Sequence, residues 1–212
     1  MRYYPVFLDI AGKPVVVIGG GEVALQKVKG LADAGAQVTV VSPELHPELE
    51  TLVNQSRVKH LAREYAPGDL KGYFLAFVGT DDRSVNALVS KEGRERGVWV
   101  NAVDDIPNCD FIMPGIARRG DLIVAVSTSA GSPAMARKMR EELEAFLTEE
   151  HTLMLELAAE VRRELLDRDV KVDPDTWNAA LDADLKRLLG EGRRDEAKRR
   201  LLRSLLEPAA ER

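Results

Sequence analysis

The feature that most restricts the fold is a valine-rich run, Pro14-Val15-Val16-Val17-Ile18, followed at once by Gly19, Gly20 and Gly21. A short apolar run with no polar face, bounded by glycines, reads as a strand buried on both sides, as in a parallel sheet covered by helices. Beyond the glycines, Val23, Leu25, Val28, Leu31 and Ala32 recur at helical spacing over 22–34, and Gly35 stands where a C-terminal cap belongs. A second β-branched run, 37–41, stops at Ser42 and Pro43. Two strands joined by one helix pair in parallel through a crossover, so this stretch is a βαβ unit. Gly19 to Ala24 fits G-x-G-x-x-A after a strand and at the start of a helix, the context in which the pattern carries weight. Gly19 permits the tight turn, Gly21 lets the backbone approach a pyrophosphate, and Ala24 keeps the helix close to the sheet. The free N–H groups and positive dipole end of that helix favour the anion. An ordinary glycine-rich turn without a ligand is the competing reading.

The alternation continues with strands expected at 57–61, 73–78 and 98–103 and a helix over 83–96 closed by Gly97. Apolar runs at 111–113 and 122–126 read as later strands. From Ser132-Pro133, a cap with proline at the first helical position, helical patterns cover 135–147, 153–166, 174–189 after an Asp173 cap, and 195–206. The expected class is α/β, a Rossmann-like doubly wound parallel sheet over 1–113, with a small helical C-terminal domain over 151–212. The 212 residues, 45% apolar and 31% charged, suffice for one good core and a smaller second one. The net charge of −5 gives no basic field, so nucleic acid is not an expected partner. One cysteine, Cys109, forbids an intrachain disulfide and fits a reducing, cytoplasmic setting. No signal-peptide run and no stretch of eighteen apolar residues occurs, so no membrane association is expected.

An NAD site is expected to offer an acidic side chain to the ribose at the end of the second strand. Ser42 and Pro43 stand there, Glu44 comes two residues late, and no arginine takes the place of a phosphate ligand, so the residues leave NAD and NADP open. Thr80 and Asp81 follow the fourth strand in Gly79-Thr80-Asp81-Asp82 and can line the cofactor crevice at the carboxyl edge of the sheet. Asp81 or Asp82 can equally cap the helix that begins near Arg83. Asn101-Ala102-Val103-Asp104-Asp105 sets two carboxylates just past the carboxyl end of a strand near the switch point. An acid there can take a proton while hydride leaves to a nicotinamide, and a polar turn with two solvated aspartates satisfies the same spacing.

In order along the chain, Tyr4-Pro5-Val6-Phe7-Leu8, the glycine turn, Thr80-Asp81-Asp82, Asn101-Ala102-Val103-Asp104, Phe111-Ile112-Met113-Pro114 and Ser132-Pro133 resemble the precorrin-2 dehydrogenase family. This is the N-terminal module of siroheme synthase, and the resemblance covers residues 1–150, with the helical remainder in outline only. It implies oxidation of precorrin-2 to sirohydrochlorin with NAD as hydride acceptor, and in some members insertion of ferrous iron. Carried over by position, Asp104 resembles the family's essential aspartate, Glu22 and Val23 lie on the dinucleotide, and Pro43 and Glu44 form the adenosine side. Ser42 and Asn101 join them as cofactor-binding candidates. Thr128 stands where the fused enzyme has a phosphorylatable serine. The resemblance also implies a homodimer, with 114–150 as the dimerisation segment, and the fused enzyme's methyltransferase half is not expected within these 212 residues. A tetrapyrrole rich in carboxylates needs local cations, for which Arg118, Arg119, Arg137, Lys138 and Arg140 are candidates, with Ser132 beside them. Surface solubility accounts for the same charges equally well.

His46, His60, His151 and Cys109 are scattered, so no preformed metal site is expected, and any iron would meet the substrate's pyrrole nitrogens. Two rivals remain on sequence grounds: a ferrochelatase keeping its dinucleotide site as a relic, and an NAD(H)-sensing regulatory module. The sensing module has no use for a base beside the nicotinamide, which argues against it.

Overall fold

A computed structural model describes residues 3–80, 82–103 and 105–207, and the chain divides into two compact units, 1–113 and 114–212. In the first, β1 (Pro14–Ile18), β2 (Gln37–Val41), β3 (Val58–Leu61), β4 (Leu75–Val78) and β5 (Trp99–Ala102) form one parallel sheet. Its order, β3-β2-β1-β4-β5, reverses direction between β1 and β4. Such a reversal opens a crevice at the carboxyl ends of these two strands. The helices are α1 (Glu22–Asp33), α2 (Pro47–Asn54) and α3 (Arg83–Arg96).

Side-chain alternation divides the core into two layers. Val15 and Val17 face one way, into Ala24, Leu25 and Val28 of α1 and Leu49 and Leu52 of α2. Val16 and Ile18 face the other, into Val89 of α3 with Val98 and Val100. The three central valines of β1 are wholly buried, each contributing about 1.5–3 kcal/mol. This two-sided burial is what the unbroken apolar run demands.

Between β3 and β4 the chain crosses the sheet without a helix, through residues 62–74, and a carboxylate on α3 organises the segment. Glu92 is buried and accepts hydrogen bonds from the Tyr65 hydroxyl and from the N–H groups of Gly68 and Leu70, and it pairs with Arg96. Arg63 clamps Asp69 through two bonds of 2.6 Å, and Leu70 is wholly buried. Burial alone would push the Glu92 carboxyl up, but the bonds from Tyr65, Gly68, Arg96 and Leu70 outweigh it and hold the pKa below the usual glutamate value.

Two expectations for this unit change. Helix α2 is not among the expected elements; it begins at Pro47 after a His46 cap whose Nδ1 accepts from the Glu48 N–H. The run 111–113 is not a strand: Phe111 packs edge-on against Phe77 at 5.5 Å, and its carbonyl accepts from the Asn101 amide. The apolar signal there records burial against one ring, and a tertiary contact overrides local propensity.

The second unit opens with an antiparallel hairpin, β6 (Gly115–Arg119) and β7 (Leu122–Val126), of which only β7 is expected from the sequence. Helix α4 (Pro133–Phe146) lies on the hairpin and buries none of its own residues. The rest is helical: α5 (Glu149–Asp167), α6 (Pro174–Ala180), α7 (Ala183–Gly190) and α8 (Arg194–Leu206) close on Leu157, Val161, Leu165, Leu185, Leu188 and Leu201. The single helix expected over 174–189 is two, because Asp182 caps α7 through the Leu185 N–H and receives both guanidinium nitrogens of Arg200. No helix among the described residues is long and apolar enough to cross a membrane.

Candidate functional site

The crevice is built outward from the glycine turn. The Gly19 N–H donates to Val41 and the Gly79 N–H to Ile18, so the turn is clamped between the exits of β2 and β4. Gly19 lies in the left-handed region at φ +107°, and a Cβ there would meet the Gly79 carbonyl oxygen at 2.8 Å. Gly20 is wedged against the segment after β2: a Cβ on it would stand 2.1 Å from the Glu44 carbonyl oxygen, and its own carbonyl accepts from the His46 N–H. Gly21 differs, since a Cβ would find nothing within 4 Å. It caps α1 without a side-chain hydrogen bond, and the N–H groups of the first helical turn, Glu22 to Ala24, have no partner within the helix. Open space over free N–H donors fits a bound pyrophosphate.

Beyond β4 and β5 lies a cavity of about 240 Å³ lined by Val23, Gly79, Thr80, Arg83, Asn86, Val103 and Asp105. The sequence candidates Val23 and Thr80 meet here with Asp105, the second carboxylate of the 101–105 segment, and are joined by Arg83 and Asn86, which sequence reasoning passed over. Arg83 and Asn86 sit three apart at the start of α3, one face of one turn, and that spacing was the available signal. Asn86 is 3% exposed and its Oδ1 has no hydrogen-bond partner among the described residues. Leaving such a group unsatisfied costs about 1–3 kcal/mol. Asp105 accepts from the Asn108 amide at 2.9 Å. Asp82 caps α3, accepting from the N–H groups of Ser84 and Val85; the Ser84 hydroxyl, then those N–H groups, holds its carboxyl below the usual aspartate value. The candidates Asp81 and Asp104 lie outside the described residues.

On the other side of the turn, Pro43 and Glu44 line a second cavity of about 550 Å³ with Leu45, Glu50, Val53, Asn54 and His60. Two further candidates make internal hydrogen bonds. The Ser42 hydroxyl donates to the Glu44 carbonyl, and the buried Asn101 amide holds the 109–111 loop through Phe111. Glu22 is exposed and lies 3.3 Å from His46.

The remaining candidates belong to the second unit. Arg137, Lys138 and Arg140 each face a glutamate one turn along α4, namely Glu141, Glu142 and Glu144. Arg118 and Arg119, exposed on β6, have no ion-pair partner among the described residues. Ser132 caps α4 through the Met135 N–H, and the Thr128 hydroxyl bonds both backbone groups of Ser132. Among the described residues no three His, Cys, Asp or Glu side chains are grouped to hold a metal ion.

A family model described as putative NAD(P)-binding matches residues 6–115. The chain is 38% identical over 204 residues to siroheme synthase of Photobacterium profundum, covering 95% of this chain and 44% of that protein. It is 39% identical over 207 residues to siroheme synthase 1 of Serratia proteamaculans, covering 97% and 44%. The chain therefore spans less than half the length of these relatives. Among solved structures it is similar to SirC, precorrin-2 dehydrogenase, with a TM-score of 0.77 and 26% identity over 95% of this chain and 100% of that one.

Proposed function

The chain belongs to the NAD(P)-binding family of siroheme synthases and precorrin-2 dehydrogenases, and on that premise we propose that it oxidises precorrin-2 to sirohydrochlorin with NAD. The observation that carries the reading is a likeness spanning the full length of a precorrin-2 dehydrogenase, not the nucleotide fold alone. The reaction removes two electrons and two protons from the macrocycle, as a hydride and a proton. Bound NAD supplies the hydride acceptor. The chain's own part is to hold the pyrophosphate over Gly19 and Gly21 at the N-terminus of α1, beside Glu22 and Val23. Pro43 and Glu44 take the adenosine side and Thr80 the nicotinamide side. Asp104, just past β5, receives the proton.

Arg118 and Arg119 offer cations to the substrate carboxylates, because their charges are not spent on a neighbouring glutamate. In the same reading 114–150 is a dimerisation segment and the protein a cytoplasmic homodimer. A helix that buries none of its residues, with Met135 and Phe146 exposed, supports that role for α4. The test is incubation with precorrin-2 and NAD, following NADH and sirohydrochlorin by absorbance. Equimolar appearance of both is expected, and no NAD-dependent product would overturn the reading. Ferrous iron added to sirohydrochlorin without NAD measures chelation separately.

A further inference from the structure

We propose that Asn86 binds the nicotinamide riboside half of the dinucleotide, its side-chain amide hydrogen-bonding the carboxamide or a ribose hydroxyl. The inference rests on the dinucleotide reading above. Asn86 is almost wholly buried at the start of α3, yet its Oδ1 has no partner among the described residues, while it lines the switch-point cavity. Buried amides are ordinarily satisfied, and an exception calls for an absent partner. The cavity supplies the place. With the pyrophosphate over Gly21 and the adenosine beside Pro43 and Glu44, the nicotinamide nucleoside extends past β4 to the cavity between Val23 and Val103. Val23 and Val103 present apolar surface to a ring, Asn86 and Thr80 offer neutral polar groups beside it, and the charged Arg83 and Asp105 complete the lining. A neutral amide suits the carboxamide and ribose, each of which offers donor and acceptor atoms.

Asn86→Leu keeps the branched shape and removes the polar atoms; Asn86→Ala, measured beside it, removes them without adding an apolar branch. Binding of NADH, ADP-ribose and ADP is measured by calorimetry, and the ligand-free melting temperature by scanning calorimetry. NADH affinity is expected to fall about tenfold, the loss of one well-placed hydrogen bond, with ADP affinity unchanged. The ligand-free Asn86→Leu variant is expected to melt higher than the parent, since an orphaned buried amide is gone; an asparagine that only holds the fold would give the opposite sign. A loss on NADH alone assigns the bond to the carboxamide, and a loss shared with ADP-ribose assigns it to a ribose hydroxyl. Unchanged NADH binding, or equal weakening of NADH and ADP, would overturn the proposal while leaving the dinucleotide site intact. If the parent protein binds neither NADH nor ADP, the dinucleotide reading fails and this proposal with it.

Discussion

Gly20 and Gly21 are adjacent and lack a side chain for opposite reasons. At Gly20 the space is filled by the Glu44 carbonyl and the Ser42 hydroxyl, so a methyl group must displace backbone. We expect Gly20→Ala to destabilise the protein by at least about 2 kcal/mol in urea unfolding, the scale of overpacking a tight site. At Gly21 the space is empty, and Gly21→Ala should lose no more than about 1 kcal/mol, through a poorer cap. Its penalty should fall on the ligand, with NAD affinity reduced at least tenfold by a methyl group where the pyrophosphate lies. Equal stability losses at the two positions would contradict this division. Asp104→Ala makes the complementary test, since a proton acceptor is worth about 10²–10⁴-fold in rate. Its kcat should drop by that range while NADH binding by fluorescence stays within twofold, and full turnover would remove the base from the reaction.

The elements that were legible in the sequence are those whose ends carry their own punctuation. The strand Pro14–Ile18 and the helix Arg83–Arg96 came out with the observed bounds, the first between glycines, the second between the Asp82 cap and Gly97 in its left-handed conformation. Short elements with few buried residues were not legible. Helix α2 buries only Leu49 and Leu52, and β6 only Ala117, too little periodicity to register. The break between α6 and α7 is made by the Asp182 cap, a single local residue inside an otherwise continuous helical pattern, and its carboxylate is held by Arg200 of another helix. The site divides the same way: the glycine turn announces itself, but Asn86 is distinguished by a missing hydrogen bond, visible only once its surroundings are built. The crossover 62–74 belongs here too, because its order depends on Glu92. That carboxyl titrates below the usual value in the folded protein, so its contribution is complete above about pH 4.3 and disappears as pH falls through the depressed value. Glu92→Gln should cost about 1–3 kcal/mol at neutral pH and flatten the loss of stability on acidification; an unchanged acid limb in chemical denaturation from pH 7 to 3 would deny Glu92 this part.

For the molecule as a whole, the decisive surface is the one that single-chain folding leaves unused. Helix α4 keeps Met135 about half exposed, and β6 does the same with Ile116, although both elements belong to one compact unit. In the proposed homodimer such side chains would form the interface, so Met135→Glu should shift the molar mass in light scattering from dimer to monomer while leaving the far-ultraviolet circular dichroism unchanged, because an exposed helix position contributes little to the fold. A parent that is monomeric at micromolar concentration would end the dimer reading.

The crossover also sets an order of events during synthesis. Residues 14–61 carry β1, α1, β2, α2 and β3, everything needed to begin the sheet, before the N–H groups of Gly68 and Leu70 have met their acceptor. That acceptor leaves the ribosome more than twenty residues later, so the passage to β4 cannot take its final hydrogen bonds until α3 has been synthesised. The crevice for the dinucleotide lies on the seam between the two halves, and it comes into being only when the later half locks on.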